Sequence, residues 1–189
     1  MKRASGQTKF YVMILLLLPL ALLIFCPGSS SGATAKEIDT SADVAIQQFE
    51  QEVGGGRELI DRAAGVLIFP RVTKAGLGIG GEYGEGALRV AGKTVDYYSI
   101  GAASFGFQAG AQRRSVLIAF MDSSALERFR QGSGFKVGGD MSVAVLKMGA
   151  SGRIDTSTIN QPVVGIVFGE KGLMYNLTLE GSKITKLQK

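Results

Sequence analysis

The sequence predicts an α+β fold, mainly antiparallel β in a sandwich or a barrel. N-terminal amphipathic helices precede the sheet, and one short helix is inserted later. Three observations predict this. From residue 66 onward, short apolar or alternating runs recur at close spacing, the pattern of an antiparallel sheet. Before residue 66, apolar residues recur at helical spacing. No strand–helix–strand rhythm of the kind a doubly wound parallel sheet needs is present. Glycine, at 27 of 189 residues, is abundant without a collagen-like period, which favours turns, bulges and close backbone approach.

The leader comes first. Lys2, Arg3 and Lys9 make a basic start, Phe10–Phe25 is almost wholly apolar, and Cys26–Ala35 is small and polar. That order is a secretory signal peptide, with Ala33-Thr34-Ala35 as an A-x-A site before Lys36. The apolar core is shorter than the ~20 residues a spanning helix needs. The expected organisation is therefore a signal peptide over 1–35 and one domain over 36–189, exported to the periplasm or cell envelope. Cys26 is the single cysteine, so no internal disulfide forms. It stands where a lipoprotein cysteine would stand, after Leu23-Ile24-Phe25, although Phe25 is larger than the residue normally found there. Cleavage at Ala35, lipidation at Cys26 and a retained anchor are the three outcomes left open.

Charge follows the same division. The formal charge is +5, and removing the three leader cations leaves +2. A domain so nearly neutral lacks the basic stripe of a nucleic-acid binder. Histidine is absent, which excludes Ser-His and Cys-His catalytic pairs and any His-containing zinc site.

Asp39–Val53 reads as an amphipathic helix, with Thr40 and Asp43 as a capping box and Ala42, Ala45, Ile46, Phe49 and Val53 on one face. Gly54-Gly55-Gly56 breaks it, and Arg57–Ala64 forms a shorter helix, so the helical part spans about 39–64 and the β-rich part about 66–189. The apolar face of the first helix is expected to pack on the sheet, because a helix of this length needs tertiary support.

Val66–Phe69 is a buried strand, ended by Phe69-Pro70. An unusual alternation follows, in which Gly76, Gly78 and Gly80 occupy one face of an extended chain and Ala75, Leu77 and Ile79 the other. A face of bare backbone admits close approach by another segment or a ligand. Further expected strands are Ala87–Val90, Thr94–Tyr98, Ala102–Gln112, Val116–Met121, Phe135–Val137, Met141–Met148, Val163–Phe168, Leu173–Leu179 and Lys183–Leu187. Ala91-Gly92-Lys93 is a hairpin turn. Ser124 with Glu127 caps a short helix that turns Leu126 and Phe129 inward.

Catalytic look-alikes fail on context. Gly76–Gly81 matches G-x-G-x-x-G, but a dinucleotide site needs a helix to open there. Gly92-Lys93-Thr94 lacks the first P-loop glycine, since residue 87 is alanine. Ser104 has no histidine base, and Ser133-Gly134-Phe135-Lys136 lacks the companion motifs of its class. Glu82, Glu85, Asp140 and Asp155 read as solvated turn residues. No cofactor or metal is expected, and an enzyme is the last-ranked reading.

The segment Val66–Leu88, VLIFPRVTKAGLGIGGEYGEGAL, resembles the opening of the SYLF domain, a lipid-binding family. Further matching blocks are Tyr97-Tyr98-Ser99, Ala102–Gln112, Gly149–Thr156, Pro162–Leu173 and Leu179–Ile184, so the resemblance runs from about Val44 to Lys189. It implies a non-catalytic domain that binds lipid or a membrane surface. Fungal and animal members are actin-patch and phosphoinositide-binding proteins, and their N-terminal helical part is associated with membranes. Export argues against actin as a partner here and favours an ordinary anionic phospholipid over a phosphoinositide. The resemblance does not assign head-group ligands. The residues themselves suggest Arg71, Lys74, Arg113, Arg114 and Lys183, basic side chains close to the glycine-rich elements. The competing reading is a structural envelope module that binds a protein partner.

Overall fold

In the computed structural model, residues 32–147, 154, 160–172, 179 and 181–189 are described. The leader lies outside them. Ala33–Lys189 fold as one unit.

The first helix, α1 (Ala35–Glu52), starts earlier than its periodicity suggests. Thr34 is the N-cap: its hydroxyl accepts from Glu37 N–H at 3.3 Å, and the Glu37 carboxylate accepts from Thr34 N–H at 2.7 Å. The expected Thr40–Asp43 box does not form. Thr40 Oγ1 donates instead to Lys36 O, inside the helix, and Asp43 accepts from Arg89. The earlier start extends the buried stripe back to Ile38, so that Ile38, Ala42, Ala45 and Phe49 all face the sheet. A short second helix, α2 (Gly56–Arg62), follows and buries Leu59.

Next come two long strands, β1 (Gly65–Val90) and β2 (Lys93–Phe120), paired antiparallel along their length. Ala91 and Gly92 join them with φ of 48° and 76°. Two positive-φ residues give a two-residue turn whose twist matches the strands, and glycine takes the second place without strain. Lys93, expected in the turn, already belongs to β2. The separate short strands expected here are segments of this one hairpin. Pro70 does not end the strand. It lies in a register shift between Phe69 and Val72, where the ladder does not need its missing N–H, and its carbonyl accepts from Ser115 Oγ at 3.0 Å. Further shifts fall between Gly76 and Gly78 and between Leu88 and Arg89.

The third helix, α3 (Ser123–Gln131), is capped by Asp122, whose carboxylate accepts from Ser124 N–H at 2.9 Å. The expected Ser124–Glu127 box is displaced, because Ser124 already lies within the helix. The remaining strands are β3 (Gly134–Lys136), β4 (Ala144–Lys147), β5 (Val163–Gly172) and β6 (Lys183–Leu187). All six described strands join one sheet in the order β3-β6-β2-β5-β4, with β1 on the other edge of β2. The pairing is antiparallel except for β4 with β5. The fold is thus α+β and mainly antiparallel, as expected. Of the expected strand Leu173–Leu179, only Leu179 is described, and it is buried.

Both faces of the sheet are covered. On the outer face, Val66, Ile68, Leu117, Ala119, Val164, Ile166 and Phe168 pack under α1 and α2. Phe49 of α1 is fully buried there, edge-on to Phe168 at 5.1 Å. On the inner face, Leu67, Phe69, Tyr98, Ile100, Val116, Ile118 and Phe120 close around α3. Phe129 of α3 stacks on Phe120 at 4.9 Å and meets Tyr98 and Phe135. The run Val66–Phe69 is apolar at every position because it is buried from both sides.

Candidate functional site

The β1–β2 hairpin is folded back on itself, and glycines make this possible. A Cβ on Gly86 would run into the carbonyl of Ile68 and the ring of Phe69. One on Gly84 would stand 2.7 Å from Arg71 O and 3.0 Å from a Val72 methyl, and one on Gly65 would come within 3.3 Å of Arg89 O. The first part of β1, residues 65–72, therefore lies directly against its last part, residues 84–89, without side chains between them. The turn-over region between contains the glycine alternation. Gly76 faces Gly110 in the ladder, Gly78 faces Gly106 and Gly80 faces Ser104. Gly76 and Gly80 are half-buried. Gly84 and Gly86, outside the alternation, show tight backbone approach.

Beyond the apolar inner core, polar side chains take over the inner face. Arg114 Nη2 donates to Glu82 Oε2 at 2.7 Å, and Ser182 Oγ donates to Glu82 Oε1 at 3.1 Å. Gln112 is buried beside them in the ladder, opposite Lys74. Glu82 comes from the last part of β1, Arg114 from the last part of β2 and Ser182 from the residue before β6. The cluster thus ties three segments of the folded sheet together. The expectation that Glu82 is a solvated turn residue is overturned: it lies in mid-strand, buried, because inward alternation carries it to the face of Ile100 and Ile184. No sequence pattern links positions 82, 114 and 182. An acidic residue in the middle of a long strand was the one available signal.

The five predicted cations do not gather at one point. Arg71 and Arg113 are exposed, and Lys74 is half-buried. Arg113 stands in the ladder between Thr73 and Lys171. Arg114 is not a surface residue: its side chain is 2% exposed and committed to Glu82. The two adjacent arginines diverge because successive strand residues point to opposite faces. Lys183 is exposed in β6, opposite Lys136 of β3. Among the described residues, Arg71, Lys74, Arg113, Lys136 and Lys183 make no ion pair. By contrast Arg57, Arg62, Arg89, Arg130, Lys186 and Lys189 are each within reach of a carboxylate.

The helical face is spent on folding. Ala42, Ala45, Phe49 and Val53 are buried and Ile46 is half-buried. The polar side of α1 is fastened to the hairpin, where Asp39 accepts from Thr94 Oγ1 at 2.6 Å and from Tyr97 OH at 2.9 Å, and Arg89 donates to Asp43 at 2.7 Å. Burial, followed by the Asp39 hydrogen bond, raises the pKa of Tyr97. Among the described residues no helix is long and apolar enough to cross a membrane, and no group of three or more His, Cys, Asp or Glu side chains is placed to hold a metal ion. The Gly76–Gly81 motif sits inside a strand, with no helix opening after it to receive a pyrophosphate.

These features define a non-repetitive α+β domain built on one folded hairpin, with its exposed cations on the sheet. Residues 101–189 match the family model Ysc84, described as Las17-binding protein actin regulator, in agreement with the SYLF resemblance over that stretch. The matched region takes in most of β2, α3 and every later strand. The resemblance over residues 44–100 rests on the sequence blocks quoted above. A search of curated proteins returned no match.

Proposed function

We propose that this chain is a non-catalytic domain that binds phospholipid head groups at a membrane surface of the bacterial cell envelope. The observation that carries the reading is the set of exposed or half-exposed cations, Arg71, Lys74, Arg113 and Lys183, that no described carboxylate neutralises. Among the described residues, Arg57, Arg62, Arg89, Arg130, Lys186 and Lys189 each stand near a carboxylate, whereas these four are free to meet phosphate oxygens. The family's association with lipid and actin supports a lipid ligand, and the leader supports export, which removes the chain from actin. An anionic phospholipid of the envelope is the natural ligand. A phosphoinositide is the corresponding ligand of eukaryotic members.

The test is sedimentation of the exported protein with vesicles of phosphatidylglycerol and phosphatidylcholine, against vesicles of phosphatidylcholine alone. Binding to the first and not the second, declining as salt rises, is the expected result. Binding to neither transfers the reading to an envelope module that recognises a protein partner.

A further inference from the structure

One row of the sheet crosses four strands on the outer face, beyond the area that α1 covers. Tyr83 of β1 pairs with Gly101 of β2, Gly101 with Lys183 of β6, and Lys183 with Lys136 of β3. At the ~4.8 Å spacing of neighbouring strands the row is about 14 Å long. Three observations set it apart. Tyr83 is 55% exposed, among the few large hydrophobic side chains left in solvent. Lys136 and Lys183 are both exposed and stand directly opposite each other, an arrangement that destabilises a sheet by repulsion. Gly101, between Tyr83 and Lys183, is not required by packing, because an added Cβ would meet only Glu82 O at 3.5 Å, an ordinary contact. In the next row along, Gly81 and Ala103 are small and exposed, and a Cβ on Gly81 would also meet only an ordinary contact.

Among the described residues, the nearby carboxylates already have partners and make no ion pair with Lys136 or Lys183. Glu85 accepts from Tyr83 OH at 2.8 Å and from Lys189 Nζ at 3.2 Å. Asp140 accepts from the backbone N–H of Lys136, and Asp96 holds Lys186 and Arg130. The fold thus keeps two opposed cations, a bare backbone beside them and an exposed amphipathic ring in one row.

We infer that the row Tyr83–Gly101–Lys183–Lys136 is the surface by which this domain rests on an anionic bilayer. The inference rests on the lipid-binding reading above and assigns its contact face. Lysines standing at an anionic bilayer are drawn to its lipid, and a tyrosine ring is at home at the head-group level. The helix whose apolar face would otherwise serve this purpose is packed into the core.

Vesicle sedimentation and thermal melting of two variants, Lys136→Gln/Lys183→Gln and Tyr83→Ala, test it on vesicles of phosphatidylglycerol and phosphatidylcholine. Each lysine near an anionic surface is worth about fivefold in partitioning, so the double variant should bind about 25-fold more weakly. Its melting temperature should hold or rise, because the opposed charges are gone. Tyr83→Ala should also weaken binding without lowering the melting temperature. If the unaltered protein binds these vesicles and the variants bind equally well, the row is not the contact face, while the lipid-binding reading stands. If the unaltered protein binds no vesicle, that reading fails and the inference fails with it.

Discussion

Arg114 Nη2 and Glu82 Oε2 stand 2.7 Å apart with side chains 2% and 6% exposed, and this pair joins the two ends of a hairpin folded over on itself. Neither residue is the other's partner in the ladder, where Glu82 faces Ala102 and Arg114 faces Val72. The contact exists because β1 doubles back. Removing Arg114 leaves the buried Glu82 carboxylate without its ion-pair partner, and removing Glu82 takes a carboxylate from a buried guanidinium. Glu82→Leu or Arg114→Met should therefore destabilise the fold by about 3–5 kcal/mol in urea unfolding. The double variant should lose less than the sum of the two. Strict additivity would mean the pair is not energetically coupled.

The doubling back also depends on missing side chains. Gly86→Ala and Gly84→Ala each put a methyl group into the opposing backbone, and each should cost about 1–3 kcal/mol through overpacking. Gly81→Ala provides the control. Its Cβ would meet only Ala102 O at 3.6 Å, so its melting temperature should stay within experimental scatter of the unaltered protein. Equal effects at all three positions would mean general strand propensity, and not the close approach, governs the response.

Processing and helix capping are linked at Thr34. A chain that begins at Lys36 lacks the N-cap, and loss of such a cap costs about 1 kcal/mol. Protein starting at Lys36 should melt below protein starting at Ala33, and Thr34→Ala in the longer form should reproduce the difference. Backbone and side-chain hydrogen bonds from Thr34 lower the Glu37 pKa, and those from Ser124 likewise lower that of Asp122. Both carboxylates therefore contribute stability above their unfolded values of 4.5 and 3.8, and that contribution fades as pH falls through the lower folded values. In acid, the pH dependence of melting should be shallower in Thr34→Ala. Intact-mass measurement of exported protein gives the mature terminus, and a lipidated Cys26 there would replace cleavage before Lys36.

Arg71 and Lys74 provide the charge test of membrane binding. Two cations at an anionic surface supply about 2 kcal/mol, and reversing both also adds repulsion. Arg71→Glu/Lys74→Glu should weaken sedimentation with anionic vesicles, with the fold intact by circular dichroism. Unchanged sedimentation would exclude these two residues from the contact.

Much of this architecture is legible in the sequence because it is set locally. Alternation in the β region, the helical stripe through Ala42, Ala45 and Phe49, and the Ala91-Gly92 turn depend on neighbours a few residues away. So do the inward positions of Leu126 and Phe129. The exact cap of each helix is less legible, because Thr34–Glu37 and Thr40–Asp43 carry the same signal. Burial of Ile38 decides between them.

Tertiary structure alone decided the rest. It merged the short runs into two strands, because a register shift absorbs Pro70 and the ladder continues past it. It sent Arg113 to solvent and Arg114 to Glu82, a difference of one residue that the pleat converts into opposite faces. It also set Lys183 opposite Lys136 and both in line with Tyr83, across strands separated by up to 100 residues of chain. Sequence determined which residues can be strand, helix and turn, since those preferences act over a few residues. Which distant residues share a face was decided by the folding of the hairpin, since contact across a sheet depends on register and curvature that no local pattern encodes.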